Sequence, residues 1–221
     1  MDYNLILNHS EKLKVLSRLV THLMGDGCVT NKYFAYFNKN EDLLKNYEKD
    51  LLKLFSEVHI IRGISNSGTS LIQVQNKEII YFLKSLLKDY RSKTLEIPKF
   101  INTKYLRKEL LQSIYDDEGC VGLRVYRKTN ELKRDITLSS NSLKFIEQIK
   151  EILIQDFNIS SNKIAKNVKI VGSQIFTNYI LPINGKSNFE KFQKEIDFAH
   201  PTKKEKLEKM IKSYIRLAGT K

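Results

Sequence analysis

Only two cysteines, Cys28 and Cys120, occur in 221 residues, so a disulfide framework and a four-cysteine zinc site are both excluded. Proline (3) and glycine (9) are also scarce, which argues against a linker-rich architecture or long low-complexity tracts. No apolar run approaches the roughly 18 residues needed to span a bilayer. The opening Met1-Asp2-Tyr3-Asn4 lacks the basic-then-apolar layout of a secretory signal. Together these absences predict a reducing, intracellular setting and no membrane partner. Acidic residues fall short of basic ones, 25 against 38, leaving a net charge of +13. Such an excess attracts polyanions, and nucleic acid is the commonest of these in a cell. A lysine-rich genome would produce the same bias, so charge alone names no chemistry. Apolar content of 41% is that of an ordinary globular chain, long enough for one or two domains with a core of their own.

What is present repeats. From Ser10 to Gly27, Leu13, Leu16, Leu19, Val20 and Leu23 fall on one helical face, with Ser10 as the N-cap and Gly27 as a left-handed C′ residue. From Thr103 to Gly119, Leu106, Leu110, Leu111, Ile114 and Tyr115 do the same, with Thr103 as N-cap and Gly119 as C′. The helix ends read alike, Gly25-Asp26-Gly27-Cys28-Val29 and Asp117-Glu118-Gly119-Cys120-Val121. In the first half β-like runs are expected at 33–37, 59–64 and 70–75, and helices at 42–55 and 77–90. In the second half strands are expected at 123–127, 135–139, 168–171 and 175–181, with helices at 142–155, 188–196 and 202–217. The order αββαββα, read twice, predicts an α+β chain of two pseudo-symmetric repeats. Pro98 would break any helix between them, placing the repeats at 1–95 and 96–221.

Asp26 and Glu118 each stand one residue before the glycine that ends a helix. The macrodipole is negative there, so a carboxylate costs a few tenths up to about 1 kcal/mol. Either the acid–glycine pairs are plain turn dipeptides, in which Asp is welcome, or a cation sits against the carboxylates. Hard divalent ions such as Mg²⁺ take a few carboxylate and carbonyl oxygens and keep several waters. Finding the feature at matching places in both repeats favours the cation. Thr21 and Ser113, five positions before each acid, are small enough to let two helices approach closely; two separate amphipathic helices are the alternative. Leu123 and Val125 alternate with Arg124, Tyr126 and Lys128, leaving one strand face suited to bases or phosphates. Gln73 and Gln75 alternate with Ile72 and Val74, and glutamine pairs bidentately with adenine. An ordinary solvated sheet face carries the same pattern. Lys203, Lys204, Lys206, Lys209 and Lys212 either hold phosphate or simply solvate the last helix.

Leu19-Val20-Thr21-His22-Leu23-Met24-Gly25-Asp26-Gly27 resembles the LAGLIDADG motif, and Leu111-Gln112-Ser113-Ile114-Tyr115-Asp116-Asp117-Glu118-Gly119 resembles a second copy. With the downstream order of elements, nearly the whole chain is similar to the monomeric, two-repeat LAGLIDADG homing endonucleases. The resemblance implies motif helices packed at the centre and curved antiparallel sheets forming a DNA-binding saddle. It implies a monomer that cuts double-stranded DNA at a long asymmetric site, using Mg²⁺ with Mn²⁺ as a substitute. Asp26 and Glu118 would bind the metals, the carbonyls of Gly25 and Asp117 would complete the coordination, and Lys39, placed on a strand, would assist. In the second half Ser140 stands where a lysine is expected, which implies unequal cutting of the two strands. His22 and Met24 depart from the motif's Leu and Asp, and Gln112 from its Ala; His22 is read as a packed helix residue and not a ligand. The ends lack the Cys or Ser start and the His-Asn close of an intein, so an intron-encoded enzyme is expected in prokaryotic cytoplasm or an organelle matrix. Two alternatives use the same scaffold: a maturase binding intron RNA, and a DNA-binding regulator that does not cut.

Overall fold

The computed structural model describes residues 3–87, 89–126 and 131–214. By its contacts the chain divides into two compact units, Met1–Asp117 and Glu118–Lys221. The first contains α1 (Tyr3–Leu7), α2 (Ser10–Met24), β1 (Gly27–Val29), β2 (Phe34–Phe37), α3 (Glu41–Leu54), β3 (Ile60–Ile64), β4 (Ser70–Val74) and α4 (Lys77–Leu86). It also holds all but the last residue of α5 (Lys104–Glu118). The second contains β5 (Gly119–Tyr126), β6 (Glu131–Ser140), α6 (Leu143–Phe157), β7 (Ala165–Val171), β8 (Gln174–Ile183), α7 (Lys186–Glu195) and α8 (Pro201–Lys212). From α2 to α4 and from α5 to α7 the order is αββαββα.

Each unit has one four-stranded antiparallel sheet of the same order, β1-β2-β4-β3 and β5-β6-β8-β7. In the first, α2 and α3 cover the face to which Phe34, Tyr36, Ile72 and Val74 contribute, and these are almost fully buried. In the second, α6 lies against β6 and β8 and α8 against β5, enclosing Ile136, Leu138, Ile146, Ile149, Leu181 and Leu207. The helix after the first hairpin of each unit starts where the chain supplies an acceptor for its free amides. The Asn40 side chain accepts from the amides of Asp42 and Leu43 at α3, and Ser142 accepts from Phe145 at α6.

Several local expectations are corrected. His9, not Ser10, precedes α2 as its N-cap, and its side chain makes no capping bond. Gly27 and Gly119 do not adopt the left-handed conformation; they are the first residues of β1 and β5. Gly27 is needed for closeness instead, since a Cβ there would stand 2.5 Å from the Leu23 Cα and 3.0 Å from the carbonyl oxygens of His22 and Ala35. Strand β1, too short to show a period, supplies the member missing from the first half's sequence pattern. On β5 the alternation does not give a covered apolar face, because Val125 is 57% and Leu123 37% exposed. Strand β6 pairs with β8 only from Ile136 onward, so among the described residues the stretch Glu131–Asp135 of β6 has no third strand beside it.

Candidate active site

Asp26 lies between the end of α2 and the start of β1, and its side chain is exposed. Its place is set by backbone: the Phe37 amide donates to the Asp26 carbonyl at 2.9 Å, beside the Gly27–Tyr36 pair of the β1–β2 register. Just beyond β2, the Asn38 amide nitrogen Nδ2 points to Asp26 Oδ2 at 3.4 Å, a long contact, and donates to the Tyr36 hydroxyl at 2.9 Å. Asn38 Oδ1 accepts from the Asn40 amide at 2.9 Å. Lys39 is exposed and sits in the bend between β2 and α3, not on a strand. Gln73 is half-buried on β4 and Gln75 exposed just beyond it, opposite to the buried Ile72 and Val74.

Within the first unit α2 packs directly on α5. Ser17 Oγ donates to the Leu106 carbonyl at 3.0 Å, and Arg18 bridges Asp50 and Glu109 at 2.7–2.8 Å. Thr21 and Ser113 are buried, and the Thr21 hydroxyl is absorbed by the Ser17 carbonyl at 2.7 Å, which suits close approach. Tightest of all is Gly25 against Asp117, where a Cβ on the glycine would stand 2.7 Å from Asp117 Oδ2.

The Asp117 carboxylate has no solvent exposure. His22 Nδ1 approaches its Oδ2 at 2.9 Å and the Tyr36 hydroxyl donates to its Oδ1 at 2.7 Å. Burial by itself opposes a charged His22 ring, but the charge and hydrogen bond of Asp117, with Asp116 and Asp50 behind, raise its pKa above the ordinary value. Tyr36 is pushed far up, first by burial and then by the Asp117 charge and hydrogen bond and the Asp26 charge, so its hydroxyl keeps its proton and is the donor. His22 is thus a packed residue, 6% exposed, as expected. The links through Asp117, Tyr36 and Asn38 escaped the sequence reading. Their signal was paired: a histidine where the motif has an apolar residue and an aspartate where it has a small one.

In the second unit Glu118 is exposed at the last position of α5, directly before β5. Gly119 pairs with Leu138 as Gly27 pairs with Tyr36. By this register Leu138 is the counterpart of Tyr36, Ser140 of Asn38 and Asn141 of Lys39, with the caps Asn40 and Ser142 also in step. Comparing Lys39 with Ser140 is therefore wrong by one residue. Arg124 is exposed and reaches Asp135 at 3.1 Å; Gly122 opposite makes room for that carboxylate. Lys133 Nζ lies 4.4 Å over the Tyr126 ring, and Lys128 falls outside the described residues. Of the α8 lysines, Lys204 is paired with Asp197 at 2.6 Å and Lys209 with Glu205 at 2.5 Å.

Among the described residues no group of three or more His, Cys, Asp or Glu side chains is arranged to hold an ion. An ion at Asp26 or at Glu118 would therefore combine a carboxylate with main-chain carbonyls, waters and substrate oxygens. Mg²⁺ accepts that donor set, since it commonly takes one or two carboxylates and completes its shell with water and phosphate. The exposed, hard oxygen donors Asp26 and Glu118 fit it.

Residues 106–197 match the family model described as a LAGLIDADG-like domain. No curated protein matches the sequence. Mesophilic variants of the homing endonuclease I-DmoI superpose with a TM-score of 0.60 at 14% identity, covering 89% of this chain and 98% of theirs. A variant of I-DmoI in complex with its target DNA in the presence of magnesium gives 0.60 at 14%, covering 83% of this chain and 96% of the other. Full-length DUF199/WhiA from Thermatoga maritima gives 0.60 at 13%, covering 98% of this chain and 65% of that one. Residues 106–197 thus resemble a LAGLIDADG-like domain, and the chain as a whole has a two-repeat fold like that of I-DmoI.

Proposed function

We propose that the protein is a site-specific, divalent-metal-dependent endonuclease of double-stranded DNA, acting in the manner of an intron-encoded homing enzyme. The observation that carries this is the pair Asp26 and Glu118: both motif acids are retained, both are exposed, and both immediately precede the first strand of a sheet. Their carboxylates, with the main-chain carbonyls of Gly25 and Asp117, would hold the cations. Mg²⁺ or, as a substitute, Mn²⁺ bound there supplies Lewis-acid polarisation of the phosphodiester and a water of lowered pKa. Lys39, exposed two residues beyond β2, offers a positive charge to the phosphate. Arg124, Tyr126, Gln73 and Gln75 are accessible on or beside the sheets for contacts to bases and backbone. A net charge of +13 favours such a polyanionic partner.

The fold is shared about equally by the homing endonuclease I-DmoI and by DUF199/WhiA, so fold alone does not carry the reading of a nuclease. Retention of both motif acids is what supports it. Cleavage of a DNA pool carrying candidate insertion sites should require Mg²⁺, stop in EDTA and disappear in Asp26→Asn/Glu118→Gln. Tight site-specific binding without cutting under all these conditions would instead make the protein a DNA-binding regulator. Selective binding of intron RNA without DNA specificity would make it a maturase.

A further inference from the structure

Asp26 and Glu118 hold the same place in their repeats, but different side chains stand behind them. At the strand position facing the first glycine, the first repeat has Tyr36 and the second Leu138. Two residues on, it has Asn38 where the second has Ser140. Asn38 and Ser140 both shape the turn into the next helix, because Asn38 Oδ1 accepts from the Asn40 amide and Ser140 Oγ from the Ser142 amide. That bond also fixes which way the asparagine amide faces. With Oδ1 engaged by a donor, Nδ2 must turn to the Tyr36 hydroxyl oxygen and to Asp26 Oδ2. The Tyr36 hydroxyl is itself oriented, because it gives its proton to the buried Asp117 carboxylate that His22 holds from the other side. Every member from His22 to Asn38 therefore has its direction set by the next. A serine in place of Asn38 keeps the turn but has no amide to extend, and Leu138 has no hydroxyl.

We propose that Asn38 and Tyr36 are positioning residues that hold the Asp26 carboxylate for a divalent cation, and that the second repeat lacks this device at Glu118. The proposal rests on the reading of Asp26 as a metal-binding acid. It predicts two unequal cation sites in one chain.

The test is Mn²⁺ binding to the full-length protein, followed by electron paramagnetic resonance, together with thermal melts. The component lost in Asp26→Asn defines the first site. Asn38→Ser, which gives the first repeat the residue of the second and keeps the turn acceptor, should weaken that component about tenfold at an unchanged melting temperature. Tyr36→Phe should weaken it similarly. Unchanged Mn²⁺ affinity at this site in a folded Asn38→Ser protein would overturn the proposal. Mn²⁺ binding that Asp26→Asn leaves intact would overturn the metal reading of Asp26 itself, a distinguishable failure.

Discussion

His22→Leu restores the motif's apolar residue and yet should destabilise the protein. In the parent the Asp117 carboxylate is shut off from solvent, and His22, with its side chain 8% exposed, meets it at 2.9 Å. At a pH where His22 carries its proton, removing one partner of this buried ion pair costs about 3–5 kcal/mol, because the remaining charge has lost its compensation. The Tyr36 hydroxyl still donates to the other oxygen, and a hydrogen bond to a charged group is worth about 1.5–3 kcal/mol. The expected loss therefore sits at the lower end, about 3 kcal/mol, or a fall in melting temperature of roughly 6–12 °C for a chain of this size. Urea unfolding of four proteins gives the answer: parent, His22→Leu, Asp117→Ala and the double variant. The double variant should be more stable than His22→Leu alone, since it removes the stranded charge. Recovery stays incomplete because Tyr36 loses its acceptor. A His22→Leu protein within about 0.5 kcal/mol of the parent would refute the reasoning, as would a double variant no better than the single.

The same pair predicts a pH dependence. His22 has a folded pKa above its unfolded value of about 6.5, so its contribution is complete below that pH and is lost as pH rises through the folded value. The stability gap between parent and His22→Leu, measured in metal-free buffer, should thus narrow from pH 6 to pH 9.5; a constant gap would contradict the assignment. Gly25→Ala places a methyl 2.7 Å from Asp117 Oδ2 and 2.9 Å from the Asp117 Cβ, and should cost about 1–3 kcal/mol in denaturant unfolding, a cost that Asp117→Ala would not lift because its Cβ remains. If the alanine is neutral, the helix ends are not held that closely. Lys39→Ala should slow single-turnover cleavage about a hundredfold while DNA affinity changes little. An unchanged rate would remove Lys39 from the site.

The amino-acid sequence by itself determined what short-range physics can write. Leu16, Leu19, Val20 and Leu23 recur at helical spacing because they share one buried face, and Ile72 and Val74 alternate with Gln73 because β4 has one covered side. The two acid–glycine ends were legible for the same reason, each being set by a few adjacent residues. Only the tertiary structure decided the rest. It showed that Gly27 is demanded by Leu23 and Ala35 and not by its own backbone angle, and that Val125 is open, on the stretch of the β5–β6 ribbon beyond the β6–β8 pairing. It moved the counterpart of Lys39 from Ser140 to Asn141, since register is a property of paired strands. Above all it chose the partners of Asp117. His22 lies 95 positions away in the chain and Tyr36 81, and the close approach of α2 to α5, with β2 alongside, is what brings three polar groups into one dry site. Periodicity reports whether a residue is covered; it carries no record of which distant residue does the covering.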